Sequence, residues 1–213
     1  MGNVTHEQMR LYAITDSRWC TDESLEEKVS KALEAGATFL QLRDKNASHE
    51  ERVSMARRLK AIALRYNIPV VVNDDVLAAV EADADGVHIG QSDMEYSKAR
   101  QLLGPEKIIG MTTKTVEQAI KAQTLGVDYV GAGAVFTTDT KTDTRTMSKE
   151  MLTSITEAID IPVVAIGGIN YDNMDYVKDC GVAGVAVVSA IFAASDVSQA
   201  AGQLRKKADE LFA

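Results

Sequence analysis

Eight short apolar runs, separated by longer stretches with helical spacing, constrain this chain more than any other feature of its sequence. The runs are Leu11–Ile14, Thr38–Leu42, Val70–Val72, Gly86–Ile89, Ile108–Met111, Tyr129–Ala132, Val163–Ile166 and Gly184–Val188. They are rich in Val, Ile and Leu and mostly continuous, as strands buried on both faces are. Between them, Leu25, Val29, Ala32 and Leu33, and later Val53, Ala56, Leu59, Ile62 and Ala63, recur at the spacing of amphipathic helices. Strands that alternate with helices predict a parallel sheet. Eight regular units predict that the sheet closes, since open doubly wound sheets use roughly five or six strands. The expected architecture is therefore α/β, a single (β/α)8 barrel domain over residues 1–213, with residues 1–10 as an N-terminal extension that caps the barrel bottom or stays mobile.

Local punctuation agrees with that pattern. Ser48-His49-Glu50-Glu51 and Thr115-Val116-Glu117-Gln118 read as helix-capping boxes. Gly36, Gly126 and Gly181 stand where helices should end, and Pro69 and Pro162 where strands should begin. With 46% hydrophobic residues the chain can bury a sizeable core, while a net charge of -8 argues against nucleic-acid or anionic-membrane partners. A local basic pocket can still receive an anionic small molecule. Cys20 and Cys180 are far apart and lack metal-ligand spacing, so no disulfide framework is expected and Cys180 reads as an apolar filler. The polar start resembles no secretory leader, and no run approaches the ~18 apolar residues of a membrane span. A soluble, cytoplasmic protein is expected, and self-association into a homo-oligomer is compatible with the sequence.

In such barrels the active site is built at the carboxyl ends of the strands. Cations there come from Arg43 and Lys45, from Lys114 and from Lys141; carboxylates come from Asp74 and Asp93. Each alone reads as an ordinary surface charge. On one shared rim they suggest a polyphosphate held by basic side chains and a hard cation such as Mg2+, which takes one or two carboxylates and bridges phosphate oxygens. Ile166-Gly167-Gly168-Ile169 and Val188-Ser189 end the last two strands, where many barrels bind a phosphate beside a short helix, here expected at Ala190–Ala193. A Gly-Gly pair also serves ordinary turns. His88 faces away from Val87 and Ile89, which suits a hydrogen-bonded interior histidine better than a catalytic one. His6 and His49 receive no role, Trp19 covers a ring or merely packs, and the hydroxyl-rich segment after Phe136 reads as a lid.

The segments "QLRDK", "VNDD", "GVHIGQSD", "LLGPEKIIG", "TDTKTD", "IPVVAIGGI" and "GVAVVSAI" follow one another in an order and spacing similar to thiamine-phosphate synthases. The resemblance runs from about Leu11 to Leu204. It implies a transferase that joins a hydroxymethylpyrimidine diphosphate to a thiazole phosphate, releasing diphosphate with the help of Mg2+. It implies that Gln41, Arg43 and Lys45 bind the pyrimidine diphosphate with Asn73 on the aminopyrimidine, that Leu42, Asp44, Thr112 and Asp139 also belong to the substrate-binding set, and that Asp74 and Asp93 bind the metal. Lys141 would contact the diphosphate and share the catalytic work with Arg43 and Lys45. Thr138 and Thr140, with Gly168, Val188 and Ser189, would hold the thiazole phosphate. Departures from the family pattern include Lys114 in place of a common His, Ala134 and Thr137 in place of prolines, and Ser148-Lys149 where a glycine is usual. A thiazole tautomerase of the same superfamily would be expected to lack these acids and bases, and a non-catalytic precursor-binding protein would release no diphosphate.

Overall fold

The computed structural model describes residues 4–20, 23–137 and 146–212, and its eight parallel strands close into a barrel in chain order. The strands are β1 (Leu11–Ile14), β2 (Phe39–Leu42), β3 (Val70–Asn73), β4 (Gly86–Ile89), β5 (Ile108–Thr113), β6 (Tyr129–Gly133), β7 (Val163–Ile166) and β8 (Gly184–Val187), with β8 pairing back onto β1. Around them run α1 (Leu25–Glu34), α2 (His49–Ala63), α3 (Val76–Glu81), α4 (Tyr96–Leu103), α5 (Val116–Leu125), α6 (Lys149–Ala158), α7 (Ser189–Phe192) and α8 (Val197–Leu211). Every strand expected from the sequence is present, with ends moved by a residue or two. The expectation of a helix after each strand fails once. Between β7 and β8 there is only a 3-10 turn, Met174–Val177. Asn170 and Asn173 explain it: their side chains accept from the N–H groups of Asp172, Asn173 and Asn170, and Asn173 donates to the Gly168 carbonyl. Such local bonds take the donors a helix would use.

The capping boxes are reciprocal at Ser48–Glu51 and, unforeseen in the sequence, at Ser24–Glu27. At Thr115 only half forms, because Gln118 Oε1 accepts from the Lys114 N–H instead of closing back on Thr115. Gly36 and Gly126 close α1 and α5 with positive φ, as expected. Cys180 is buried in the core between barrel and helices.

Side chains that point into the barrel form layers contributed by alternate strands, as the strand registers require. The lowest holds Phe39, Gly86, Tyr129 and Gly184, two large rings against two glycines. Above it come Tyr12, Val71, Gly110 and Val164, then Gln41, His88, Gly131 and Ala186, and finally Ile14, Asn73, Thr112 and Ile166. The interior thus grades from close-packed aromatic at the bottom to polar and small at the top, and the gap left by Gly131 and Ala186 opens toward the carboxyl ends of the strands. The bottom is sealed by the segment before β1: Val4 and Met9 are buried against Tyr12, Phe39 and Tyr129. There a Cβ on Gly184 would lie 2.3 Å from the Met9 carbonyl oxygen. No helix among the described residues is long and apolar enough to cross a membrane.

Candidate active site

A cavity opens where this grading predicts, at the carboxyl ends of the strands. Gln41, Asn73, His88 and Thr112 supply its polar wall; Tyr12, Ile14, Val164, Ile166 and Ala186 supply the apolar one. A continuous chain of hydrogen bonds crosses its floor. Gln41 Nε2 donates to Tyr12 Oη at 2.5 Å, Tyr12 Oη meets Tyr129 Oη at 2.7 Å, and Tyr129 Oη meets His88 Nδ1 at 3.0 Å. His88 Nε2 then meets Thr112 Oγ1 at 2.9 Å. Burial pushes both tyrosine hydroxyls well above their ordinary pKa, so both stay neutral. His88 is therefore the hydrogen-bonded interior histidine expected from its strand parity, and it also faces the cavity. Neither tyrosine was marked by the sequence as a site residue, since a Tyr inside an apolar run reads as packing.

Arg43 forms the basic wall. It is 8% exposed, its Nη1 lies 3.7 Å from Asp16 Oδ2, and its Nη2 is buried without a hydrogen-bond partner among the described residues. Burial draws the guanidinium pKa below its usual value, opposed by the carboxylates of Asp16 and Asp74. Asp16 itself is gripped by Arg18 through bonds of 2.6 to 3.1 Å and caps the turn Ser17–Trp19. Thr15 Oγ1 accepts from the Arg43 N–H and donates to the Arg43 carbonyl, which fixes the backbone at the end of β2. A buried cationic donor with an unmade bond, on the wall of a cavity, is arranged for an anion.

The other end of the cavity is lined by the paired glycines after β7 and the start of α7. Gly167 and Gly168 take φ of +105° and +65°, and a Cβ on Gly168 would lie 2.7 Å from the Thr137 carbonyl oxygen. Val188 and Ser189 line the same wall, where α7 starts at Ser189, one residue earlier than expected. The first N–H groups of a helix have no acceptor within it. At the opposite end of α7 the buried ammonium of Lys28 donates to the Phe192 carbonyl at 3.0 Å, compensating the helix dipole there.

A family model described as thiamine monophosphate synthase matches residues 11–191. The chain belongs to the thiamine monophosphate synthase family. A thiamine-phosphate synthase of Ruminiclostridium cellulolyticum is 43% identical over 194 residues, which cover 91% of this chain and 92% of that one. One from Methanobrevibacter smithii is 39% identical over 199 residues, covering 93% and 95%. Among solved structures, a thiamine phosphate pyrophosphorylase from Pyrococcus furiosus superposes with a TM-score of 0.89 at 41% identity, covering 98% of this chain and 99% of that one.

Of the site residues expected for this thiamine monophosphate synthase family member, Gln41, Arg43, Asn73, Thr112, Gly168, Val188 and Ser189 meet in the cavity, and Lys114 joins them. Leu42 does not: its parity turns it outward, where it is fully buried beneath the helices. Asp44 lies just past the strand end, in a shallow hollow with Ser17, Asn46 and Arg58. Lys45 is exposed on the rim. Thr138, Asp139, Thr140 and Lys141 lie outside the described residues.

The two acids of Asn73-Asp74-Asp75 take different parts. Asp75 caps α3 through the Ala78 N–H at 2.9 Å and pairs with Arg52 and His49. Asp74, held at φ 63°, is exposed on the rim instead. Asp93 ends the neighbouring β4 turn, with Oδ2 fixed by the Gly90 N–H at 2.6 Å. No cluster of three potential ligands occurs among the described residues.

Asp75 also makes stability depend on pH. Burial alone would raise its pKa, but the Ala78 N–H, His49 and Arg52 outweigh it and hold the carboxyl below its ordinary value. A depressed folded pKa contributes stability above the unfolded value, near ~3.9, and loses it as pH falls through the folded value. Asp75→Ala is therefore expected to cost about 1–2 kcal/mol at pH 7 through loss of the cap. That gap from wild type should close as pH is lowered below about 4. Urea midpoints across the pH range would check this.

Proposed function

We propose that this enzyme transfers the methylpyrimidine group of a hydroxymethylpyrimidine diphosphate to the ring nitrogen of a thiazole phosphate, giving thiamine phosphate and free diphosphate. The observation that carries this reading is the buried Arg43 Nη2, without a hydrogen-bond partner among the described residues, on the wall of a cavity that also holds two primary amides, Gln41 and Asn73. The amides match the donor and acceptor edge of an aminopyrimidine, and the guanidinium matches its diphosphate. The paired glycines and the start of α7 then take the thiazole phosphate.

The chemistry is a substitution at the methylene carbon. The bond to the diphosphate oxygen breaks with its electron pair on that oxygen, leaving a cation spread over the electron-rich pyrimidine; the thiazole nitrogen lone pair then forms the new carbon–nitrogen bond. That nitrogen carries no proton, so no general base is needed. Arg43, Lys45 and Lys141 offset the charge that grows on the departing diphosphate. The apolar wall of Ile14, Val164, Ile166 and Ala186 keeps water away from the cation. Asp74 and Asp93 would hold Mg2+, which would supply Lewis-acid neutralisation of charge on the diphosphate. The reaction takes place in the cytoplasm on free small molecules.

Mixing both precursors with Mg2+ and following diphosphate release together with thiamine phosphate tests the reading. Interconversion of thiazole isomers without diphosphate release would mark a tautomerase; no turnover at all would mark a binding protein. Asp93→Asn should keep the Gly90 contact and the fold while raising the Mg2+ concentration for half-maximal rate about tenfold or more, a loss of roughly 1.4 kcal/mol in metal binding. An unchanged Mg2+ profile would remove Asp93 from the metal site.

A further inference from the structure

The hydrogen-bond chain beneath the cavity has a direction, and the direction sets what the cavity offers its substrate. Gln41 Nε2 has only hydrogens to give, so Tyr12 Oη accepts from it. Tyr12 is 1% exposed, and its sole other partner among the described residues is Tyr129 Oη. Its one hydrogen must therefore go to Tyr129. If Tyr129 donated to Tyr12 instead, the Tyr12 hydroxyl hydrogen would be buried with no acceptor, which costs that group its full desolvation. Tyr129, having accepted from Tyr12, spends its own hydrogen on His88 Nδ1. The imidazole proton is thereby placed on Nε2, which donates to Thr112 Oγ1. The Thr112 hydroxyl hydrogen is left without a protein acceptor among the described residues, on the wall of the cavity.

We infer that the Tyr12–Tyr129 pair, and Tyr129 above all, is a positioning device for the reaction: it fixes the tautomer of His88 and so makes Thr112 a hydrogen-bond donor to the substrate. This rests on the coupling reaction proposed above. At one end of the chain Gln41 keeps its carbonyl oxygen for a donor on the ligand, such as the exocyclic amine of the aminopyrimidine. At the other, Thr112 presents a hydrogen to an acceptor, such as a diphosphate oxygen. The two ends lie on β2 and β5, across the barrel from each other, so a substrate bound the wrong way round meets acceptor against acceptor and donor against donor. Tyr129 touches no substrate; it acts through His88. Packing supports a rigid pair: Phe39 lies edge-on to both rings, at 4.7 and 5.4 Å between centroids, and Gly110 leaves the space the Tyr129 ring occupies.

The test combines nitrogen-15 NMR of the ligand-free enzyme with steady-state kinetics. The His88 signals are assigned by their loss in His88→Gln. The wild type is expected to show the Nε2–H tautomer, Tyr129→Phe a mixture with Nδ1–H, and Tyr12→Phe the wild-type tautomer, since Tyr129 can still donate. Tyr129→Phe should lower kcat/KM for the diphosphate substrate about thirtyfold, with its thermal midpoint within a few degrees of wild type. Thr112→Ala combined with Tyr129→Phe should lose no more than Thr112→Ala alone, because both act through one hydroxyl. An Nδ1–H tautomer in the wild type would mean that the Gln41 amide is turned over and the chain runs backwards, which overturns the inference. So would a Tyr129→Phe rate within about threefold of wild type, or fully additive losses in the double variant. If the wild-type enzyme releases no diphosphate from the two precursors, the coupling reaction is wrong, and the tautomer measurements still decide the direction of the chain.

Discussion

Replacing Arg43 with Met is expected to lower kcat/KM about a thousandfold, close to 4 kcal/mol of transition-state stabilisation, while leaving the fold as stable as before or slightly more so. The two halves of that expectation come from the same geometry. Arg43 is buried with one nitrogen unsatisfied among the described residues, so the folded protein bears the cost of desolvating a charge that a ligand would complete. Its ion-pair partner is not stranded by the change: Asp16 keeps its fork to Arg18, and the Thr15 bonds run to the Arg43 backbone, not its side chain. Met fills similar space along the stem. Because the charge on the diphosphate grows as its bond breaks, the loss should fall mainly on kcat. Arg43→Lys should recover only part of the rate, since an ammonium lacks the planar fork. Diphosphate-release kinetics beside thermal melting would check both halves; a melting point lowered by many degrees, or a rate within about tenfold, would show that Arg43 is structural.

Much of this was legible in the sequence, for reasons that differ from residue to residue. The strands declared themselves because a run such as Val70–Val72, buried on both faces, has no polar alternative to hide behind. The cavity residues Gln41, Asn73 and Thr112 came from their places at strand ends together with the family resemblance, and their inward parity is what carries them into the cavity. Parity should have excluded the side chain of Leu42, which the family resemblance brought in with its neighbours. What stayed illegible depends on partners far apart in the chain. Nothing local says that Asp75 caps a helix while Asp74 turns to the rim; that division needs Arg52 and His49 from α2. The unmade bond of Arg43 depends on Asp16, at the end of another strand, being already engaged. The turn that replaces a helix after β7 depends on asparagine side chains choosing backbone partners. The tyrosine pair was missed for the same reason, although the two inward glycines near it, Gly110 and Gly131, were a readable sign that something large lay opposite.

Gly110 is where that packing can be tested most severely. A Cβ at this position would lie 2.1 Å from Tyr129 Cζ and 2.4 Å from its Oη. The ring cannot swing aside, because Phe39 and Tyr12 hold it at centroid distances of 5.4 and 5.8 Å and His88 lies beyond it at 5.5 Å. Gly110→Ala is therefore expected to destabilise by about 3 kcal/mol or more, at the upper end for an added methyl in a packed core. For a chain of this length that is a fall of roughly 6–12 °C in the melting midpoint. Shape, not hydrogen bonding, should govern the rescue. Tyr129→Phe keeps Cζ and should restore no stability to Gly110→Ala, whereas Tyr129→Leu removes the outer ring and should restore part of it. The restored double variant should remain slow, because no hydroxyl is left to hold His88 and, through it, Thr112. If Gly110→Ala melts with wild type, the Tyr129 ring has room to move, and the floor of the cavity is softer than its close contacts imply.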